Sequence, residues 1–365
     1  MRFHLLDKLI CPRCNNFPLR LNAEELLQSE RPSIRNQSSP CSLHCGYTGK
    51  SINQVSSNLP CSTCVSTRII RGKLSCSSCG ADYSIEDGIP NFILDEQVIT
   101  WVSEEKEWWE KNYRIQRVSS LIKSIERIRS RVQGGQGILG NRWYERDRYL
   151  FSSLRQNELQ GTFILEIGCG TSQYVAGLLS PNDYGFWYIG TDVSREALKI
   201  ASSLLPEGEF VQCTADKLPF RSELCNYALC LGVLHHLPDW EATLSKIIHL
   251  IKPTGLFLFD EGIDKPRVLG KYRKQSLTAY KDSPHEGKIS LKSLISILSS
   301  YGEVVYHLKM TPLRVLGVWI FGNLMNRSLL VTRSIMLLDQ VFLKSAGRLF
   351  KSLSAGEVIG ILKRK

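Results

Sequence analysis

A strand end punctuated by glycine, Leu165-Glu166-Ile167-Gly168-Cys169-Gly170, constrains this chain most. Residues 163–165 read as a buried strand that Glu166 closes, and a Gly-x-Gly turn then opens a helix near Tyr174. Glycine allows the sharp turn and lets a ligand lie against bare peptide groups. Four more strand-like runs follow. Residues 187–192 end in Asp192, and 209–213 lead into Ala215-Asp216-Lys217-Leu218-Pro219-Phe220. Residues 226–231 lead into Gly232-Val233-Leu234-His235-His236-Leu237-Pro238-Asp239. After a helix over 240–251, a turn at 252–255 opens a strand over 256–260. Strands alternating with helices predict a doubly wound, mostly parallel α/β sheet, with its ligand outside the carboxyl ends of the strands.

Asp192 lies 22 residues past Gly170, close to the ~20 expected for a carboxylate that grips ribose hydroxyls. A nicotinamide or flavin site wants Gly-x-Gly-x-x-Gly, and Gln173 in the sixth position breaks that pattern. The ordered series Glu166-Ile-Gly-Cys-Gly, Asp192, Asp216 with Leu-Pro-Phe, and Val-Leu-His-His-Leu-Pro-Asp resembles the class I methyltransferases that use S-adenosylmethionine (SAM). The resemblance covers roughly residues 140–262. It implies a Rossmann-like sheet of seven strands. It also implies that Glu166 and the Gly168 and Gly170 backbone face the methionine part of SAM. Asp192 would take the ribose diol, Asp216 the adenine amino group and Leu218 the ring, with Leu231 bordering the sulfonium. Many members carry a third glycine where this chain has Ser172.

The resemblance assigns no catalytic base. His235 and His236 are open to two readings, a base for the acceptor or part of a strand-to-helix turn. Asp239 reads as the N-cap of the helix after it.

Eight of the 12 cysteines form close pairs: Cys11/Cys14, Cys41/Cys45, Cys61/Cys64 and Cys76/Cys79. Thiolates two or three residues apart can share one metal, and four complete a closed zinc site, so eight predict two zinc ions. Met1-Arg2-Phe3-His4 lacks the apolar core of a leader, which favours a reducing, cytoplasmic setting over disulfides. Cys169, Cys213, Cys225 and Cys230 lie in or beside strands and read as small hydrophobes. Residues 5–14 and 73–90 resemble the two ends of the zinc-ribbon adaptor of tRNA and protein methyltransferases. That resemblance implies one metal on Cys11, Cys14, Cys76 and Cys79, and an inserted site on Cys41, Cys45, Cys61 and Cys64. Sequential pairing of the four knuckles is the alternative.

Three parts follow: a ribbon over 1–97, a helical linker or cap over 98–140, and a catalytic domain over 141–365 with a helical insert at 311–353 before the last strand. The cap carries Trp101, Trp108, Trp109 and Tyr113, read as a face packed on a core, with cover over the cofactor or stacking on bases as the alternatives, and Gly134-Gly135-Gln136-Gly137 as a breaker. Residues 290–300 read as a helix, with strands at 303–309 and 358–362. The chain carries a net charge of +11, yet residues 262–365 hold 18 Lys/Arg against 6 Asp/Glu. That skew suits an anionic partner. No run in the insert reaches the ~18–20 uninterrupted apolar residues of a membrane span. The insert reads as a roof over the acceptor pocket, with peripheral membrane contact as the alternative.

The resulting expectation is SAM-dependent methyl transfer to a small-molecule or lipid-like metabolite, possibly anionic in character. The alternatives are methylation of ribosomal or transfer RNA, and an inactive zinc adaptor of methyltransferase fold.

Overall fold

A computed structural model describes residues 1–28, 40–55, 61–94, 100–116, 118–133, 145–264, 283–285, 287, 289–310 and 355–365. The breaker at 134–137, the basic cluster at 265–274 and the insert at 311–353 lie outside them.

The N-terminal part holds a four-stranded antiparallel sheet. Strand β1 (Arg20–Gln28) precedes a short hairpin, β2 (His44–Cys45) with β3 (Lys50–Ser51). Helix α1 (Cys61–Ser66) leads into β4 (Thr67–Ser75), then β5 (Asp82–Glu86) and β6 (Ile89–Pro90). The sheet order is β1-β4-β5-β6. Two helices follow, α2 (Thr100–Arg114) and α3 (Val118–Gln133), and after a π-turn at Asp147–Phe151 comes the short α4 (Ser152–Arg155).

The catalytic part alternates as its sequence predicts: β7 (Phe163–Ile167), α5 (Gln173–Leu178), α6 (Pro181–Tyr184), β8 (Trp187–Asp192), α7 (Arg195–Leu204) and β9 (Glu209–Gln212). Then come β10 (Cys225–Leu231), α8 (Trp240–His249), β11 (Ile251–Gly262), α9 (Leu291–Tyr301), β12 (Gly302–Met310) and β13 (Ala355–Arg364). The seven strands run β12-β13-β11-β10-β7-β8-β9. Those from β11 to β9 are parallel, and β13 lies antiparallel to both β11 and β12.

These strands are apolar along their length because both faces are covered. Successive residues point to opposite faces. Leu165, Ile167, Ile189, Ala228 and Phe257 enter one core, while Ile164, Tyr188, Phe210, Leu229 and Leu258 enter the other. Helix ends follow capping chemistry: Ser194, Asp239 and Ser290 each accept a bond from the backbone N–H three residues on.

One local reading needs correction. Residues 252–255 make the predicted turn-like detour, but within β11 and not ahead of it, and the pairing jumps from Cys225↔Ile251 to Tyr227↔Leu256. Thr254, at φ 66°, carries the irregularity, so the strand begins directly after α8, which ends at His249 instead of 251.

The N-terminal part packs onto the catalytic sheet. Phe3, Leu5, Leu9, Ile69 and Tyr83 share a single buried cluster with Leu165, Val211 and Phe220. Backbone pairing joins the two along the β9 edge. Phe92 N–H donates to Gln212 O at 2.8 Å, and Ile10 N–H donates to Pro219 O at 2.9 Å. Such cover removes the open row of N–H and C=O groups that an edge strand exposes. Arg2 Nη1 stands 2.8 Å from Glu209 Oε1. Burial alone would raise the Glu209 carboxyl, but Arg2, the N-terminal ammonium and His4 together outweigh it and hold the group at about 2.

Candidate functional site

The crevice opens at the carboxyl ends of β7, β8 and β10. Gly168 and Gly170 both have positive φ, at 61° and 52°. A Cβ on Gly168 would stand 2.4 Å from Val233 Cγ2, and one on Gly170 would stand 2.8 Å from Tyr113 Oη. Side chains are thus excluded twice over, by conformation and by space.

Glu166 is buried at the end of β7 and accepts a hydrogen bond from Tyr188 Oη. Burial pushes its carboxyl up to about 7, against the pull of Tyr188 and Arg146. Ser172 also occupies the left-handed region, at φ 53°, where many of the enzymes it resembles have glycine. Its buried hydroxyl lies 2.9 Å from Tyr188 Oη. The serine keeps the turn that a glycine would make and gains a bond beneath it.

Asp192 Oδ2 accepts from Gly170 N–H at 2.8 Å, and Oδ1 accepts from Ser194 N–H at 2.8 Å. The carboxylate clamps the glycine turn to the start of α7. Burial raises it to about 6, against those backbone bonds. Each carboxylate oxygen has two acceptor sites, so the pair retains capacity for two hydroxyl donors. Asp216 supplies a different signal. Its Oδ1 is buried without a hydrogen-bond partner, a state that ordinarily costs about 1–3 kcal/mol. Leu218 packs at the edge of the core beside it.

Arg146 borders the far end, at the tip of β10. Its Nε donates to Asp260 Oδ2 at 2.8 Å and its Nη2 to Leu231 O at 3.4 Å. The guanidinium sits 4.1 Å above the Tyr174 ring. His235 and His236 lie next to it in a short 3-10 turn, with ring centroids 4.1 Å apart. Val233 N–H and Leu234 N–H both donate to Glu261 Oε1 at 3.0 Å, and His235 Nδ1 lies 2.8 Å from Glu261 Oε2.

Helix α2 lies across this crevice. Glu110 accepts from Arg195 N–H at 2.7 Å and Glu196 N–H at 3.1 Å, capping α7 from outside. Tyr113 is half-buried with its hydroxyl against Gly170, and desolvation of that phenol together with the Asp192 charge raises it well above the ordinary value. Trp109 stacks on Tyr113 and meets His236 edge-on. Of the α2 aromatics, Trp109 and Tyr113 therefore stand over the glycine turn and His236, the arrangement expected of the covering alternative. Arg146, Glu110 and Glu261 were not candidates from the sequence. Only Glu261 left a legible trace there, as the second of two acids closing an apolar strand.

In the N-terminal part the Sγ atoms of Cys11, Cys14, Cys76 and Cys79 all lie within 4.8 Å of one another. Cys11 Sγ is 3.6 Å from Cys79 Sγ, and Cys14 Sγ is 3.5 Å from Cys76 Sγ. A tetrahedron with metal–sulfur bonds of about 2.3 Å has edges of roughly 3.8 Å, so this cluster is compatible with zinc. All 12 cysteines are free thiols. Cys41, Cys45, Cys61 and Cys64 also gather: burial, Asp7, Cys45 and Cys61 push the Cys41 thiol up to about 12, and burial with the other three pushes Cys64 up. They do not close to the spacing of the first four. Asp7 holds their knuckle, accepting from the N–H groups of Ser42, Leu43 and His44 at 2.7–3.0 Å. Arg221 Nη2, from the catalytic part, donates to the same carboxylate at 3.2 Å.

Comparison with known proteins decides what the crevice belongs to. Residues 165–259 match the family described as "Methyltransferase domain".

Residues 165–259 are a methyltransferase domain.

The chain is similar over 101 residues to the tRNA (carboxymethyluridine(34)-5-O)-methyltransferase of Arabidopsis thaliana, at 32% identity, covering 27% of this chain and 23% of that protein. Over 109 residues it is 28% identical to the phthiotriol/phenolphthiotriol dimycocerosates methyltransferase 1 of Mycobacterium ulcerans, covering 28% of this chain and 39% of that one. This chain therefore spans well under half the length of these two relatives. Among solved structures it is similar to the phosphoethanolamine N-methyltransferase 2 of Haemonchus contortus in complex with S-adenosyl-L-methionine. The TM-score is 0.46 at 14% identity, covering 75% of this chain and 61% of that one. The methyltransferase domain spans β7 to β11, the part that builds the crevice.

Proposed function

We propose that the chain transfers a methyl group from SAM to a small-molecule or lipid-like acceptor. The orphaned Asp216 Oδ1 carries this reading, because a buried acceptor beside an apolar wall fits the amino group and ring of adenine. The residues divide the work. Asp192 takes the ribose diol while its backbone bonds hold it in place. Asp216 and Leu218 select the base. The Gly168 and Gly170 backbone, with Glu166 below and Arg146 at the tip of β10, faces the charged methionine end. Bound SAM supplies a methyl group on a sulfonium that leaves readily. Alignment then dominates, and good alignment is worth ~7–11 kcal/mol of barrier. Tyr113 and Trp109 close the crevice from above and exclude water.

The N-terminal part, residues 1–97, acts in this reading as a metal-braced adaptor. Cys11, Cys14, Cys76 and Cys79 would hold one zinc ion. Cys41, Cys45, Cys61 and Cys64 would draw together around a second, with His44 spare. Residues 98–140 form the cap and 141–365 the catalytic domain, with the insert at 311–353 roofing the acceptor.

The RNA reading keeps one observation in its favour, the excess of 18 Lys/Arg over 6 Asp/Glu in residues 262–365. The test is transfer of radiolabelled methyl from SAM into fractionated cell extract by the zinc-loaded full chain. Label in the organic-soluble or small-metabolite fraction is expected. Label confined to nuclease-sensitive material would overturn the acceptor class in favour of RNA.

A further inference from the structure

The tip of β10 carries a second arrangement that the binding of a methyl donor does not require. Glu261 is fully buried, and its carboxylate accepts from two consecutive backbone N–H groups, those of Val233 and Leu234, at 3.0 Å. Those bonds anchor the loop that leaves β10. Its other oxygen stands 2.8 Å from His235 Nδ1. A carboxylate held by backbone donors offers only acceptor oxygens. His235 Nδ1 must therefore carry the proton, and in the neutral ring Nε2 carries the lone pair.

The ring has a defined place. A Cβ on Gly232 would stand 3.9 Å from His235 Cε1 and 3.9 Å from Arg146 Nη2. Cε1 lies between the two ring nitrogens, so this edge of the imidazole borders the tip of β10, where the reading above places the sulfonium. The backbone of His235 is held as well, since Gly287 N–H donates to His235 O at 2.6 Å. His236 is tied elsewhere, with Nδ1 2.8 Å from Ser283 Oγ and its ring against Trp109. His235 Nδ1 thus faces a buried carboxylate that fixes which nitrogen is protonated, while His236 Nδ1 faces a hydroxyl.

We propose that His235 is the proton acceptor for methyl transfer, that Glu261 is its positioning residue, and that the acceptor atom therefore carries a proton to lose, as a hydroxyl compound does. This rests on the methyl-transfer reading and names the class of nucleophile. The acceptor oxygen bonds to the methyl carbon as the carbon–sulfur bond breaks and its electron pair returns to sulfur. The hydroxyl proton passes to His235 Nε2, and Glu261 faces the resulting imidazolium. The proton then leaves to solvent. An acceptor without a proton, such as a tertiary amine or a thioether, has no use for this pair.

Glu261→Gln separates positioning from folding. The amide oxygen still accepts from Val233 and Leu234, but the amide NH2 now faces Nδ1 and forces the ring proton onto Nε2. Nitrogen-15 NMR of histidine-labelled full chain, assigned with His235→Gln, reads the tautomer directly. The expected result is a proton on Nδ1 in the wild type and on Nε2 in E261Q. His235→Ala and E261Q should each lower labelled methyl transfer by roughly 100-fold or more, while calorimetric affinity for SAM moves less than about threefold, because neither residue lies in the ribose or adenine subsites. A wild-type proton on Nε2, an unchanged tautomer in E261Q, or full transfer by H235A would overturn the proposal. Absence of any SAM binding by the wild type would instead overturn the methyl-transfer reading, whatever the tautomer.

Discussion

Asp192 is asked to do two things at once. It clamps the Gly170 turn through Gly170 N–H and Ser194 N–H, and in the proposed function it must be an anion to receive the hydroxyl donors of the ribose. Burial raises its carboxyl to about 6, above the roughly 3.9 of an unfolded chain. The sign follows from proton counting. Between those values the folded form binds more protons than the unfolded one, so stability falls as pH rises through that window and levels off above about 6. Affinity for SAM runs the other way, because the ionised form is the better acceptor. Isothermal titration should show affinity falling about tenfold per unit below that carboxyl's midpoint, as one proton competes with one ligand. In Asp192→Asn the slope should flatten and neutral-pH affinity should drop. A slope that persists unchanged in the asparagine variant would assign the titration to Glu166, which burial raises to about 7.

Elements show what the sequence could reveal and where it stopped. Every strand from β7 to β11 was legible, because a strand buried on both faces writes a continuous apolar run. The caps at Ser194, Asp239 and Ser290 obey local chemistry, and Asp239 was readable for that reason. Start and end points were less legible at β11, where the turn at 252–255 was readable but the strand's start ahead of it at Ile251 was not. For α2 the sequence left both a packing face and a cover over the cofactor open. Its aromatics have the spacing of any packed helix, and only the tertiary fold places Tyr113 against Gly170 and Glu110 at the start of α7. Arg146 and Glu261 act across the sheet, on Leu231 and His235 respectively, and pairings over such sequence distances leave no periodic trace. The junction of β9 with the N-terminal part is similar, and it carries its own prediction. Arg2 and Glu209 are both buried, and removing one partner strands the other charge. Arg2→Met should cost roughly 3–5 kcal/mol in denaturant melts, and pairing it with Glu209→Leu should recover most of that. A loss under about 1 kcal/mol for R2M alone would mean the junction is held by its apolar contacts. The pair also weakens in acid: a carboxyl held at about 2 stabilises the fold fully above its unfolded value and loses that contribution as pH falls toward 2.

At the scale of the whole molecule, one cluster of buried side chains runs from Phe3, Leu5 and Leu9 through to Val211, Phe220 and Phe257. The cysteine-bearing part and the methyltransferase domain thus share apolar core, and Asp7 links the Cys41–Cys45 knuckle to Arg221. The cysteine pairs were legible as four knuckles. Their grouping came only through the resemblance to the zinc-ribbon adaptor, since spacing alone allows sequential pairing as well, and the fold does bring residues 11 and 14 to residues 76 and 79. Among the described residues, no helix is long and apolar enough to cross a membrane. The central claim is that the crevice over β7, β8 and β10 accepts an adenosyl sulfonium. Calorimetric titration of zinc-loaded full chain with SAM near neutral pH tests it most directly. One site per chain is predicted, with heat lost in Asp192→Ala while the melting profile stays cooperative. A folded wild-type protein that releases no heat, or an alanine variant that binds as tightly as wild type, would contradict it.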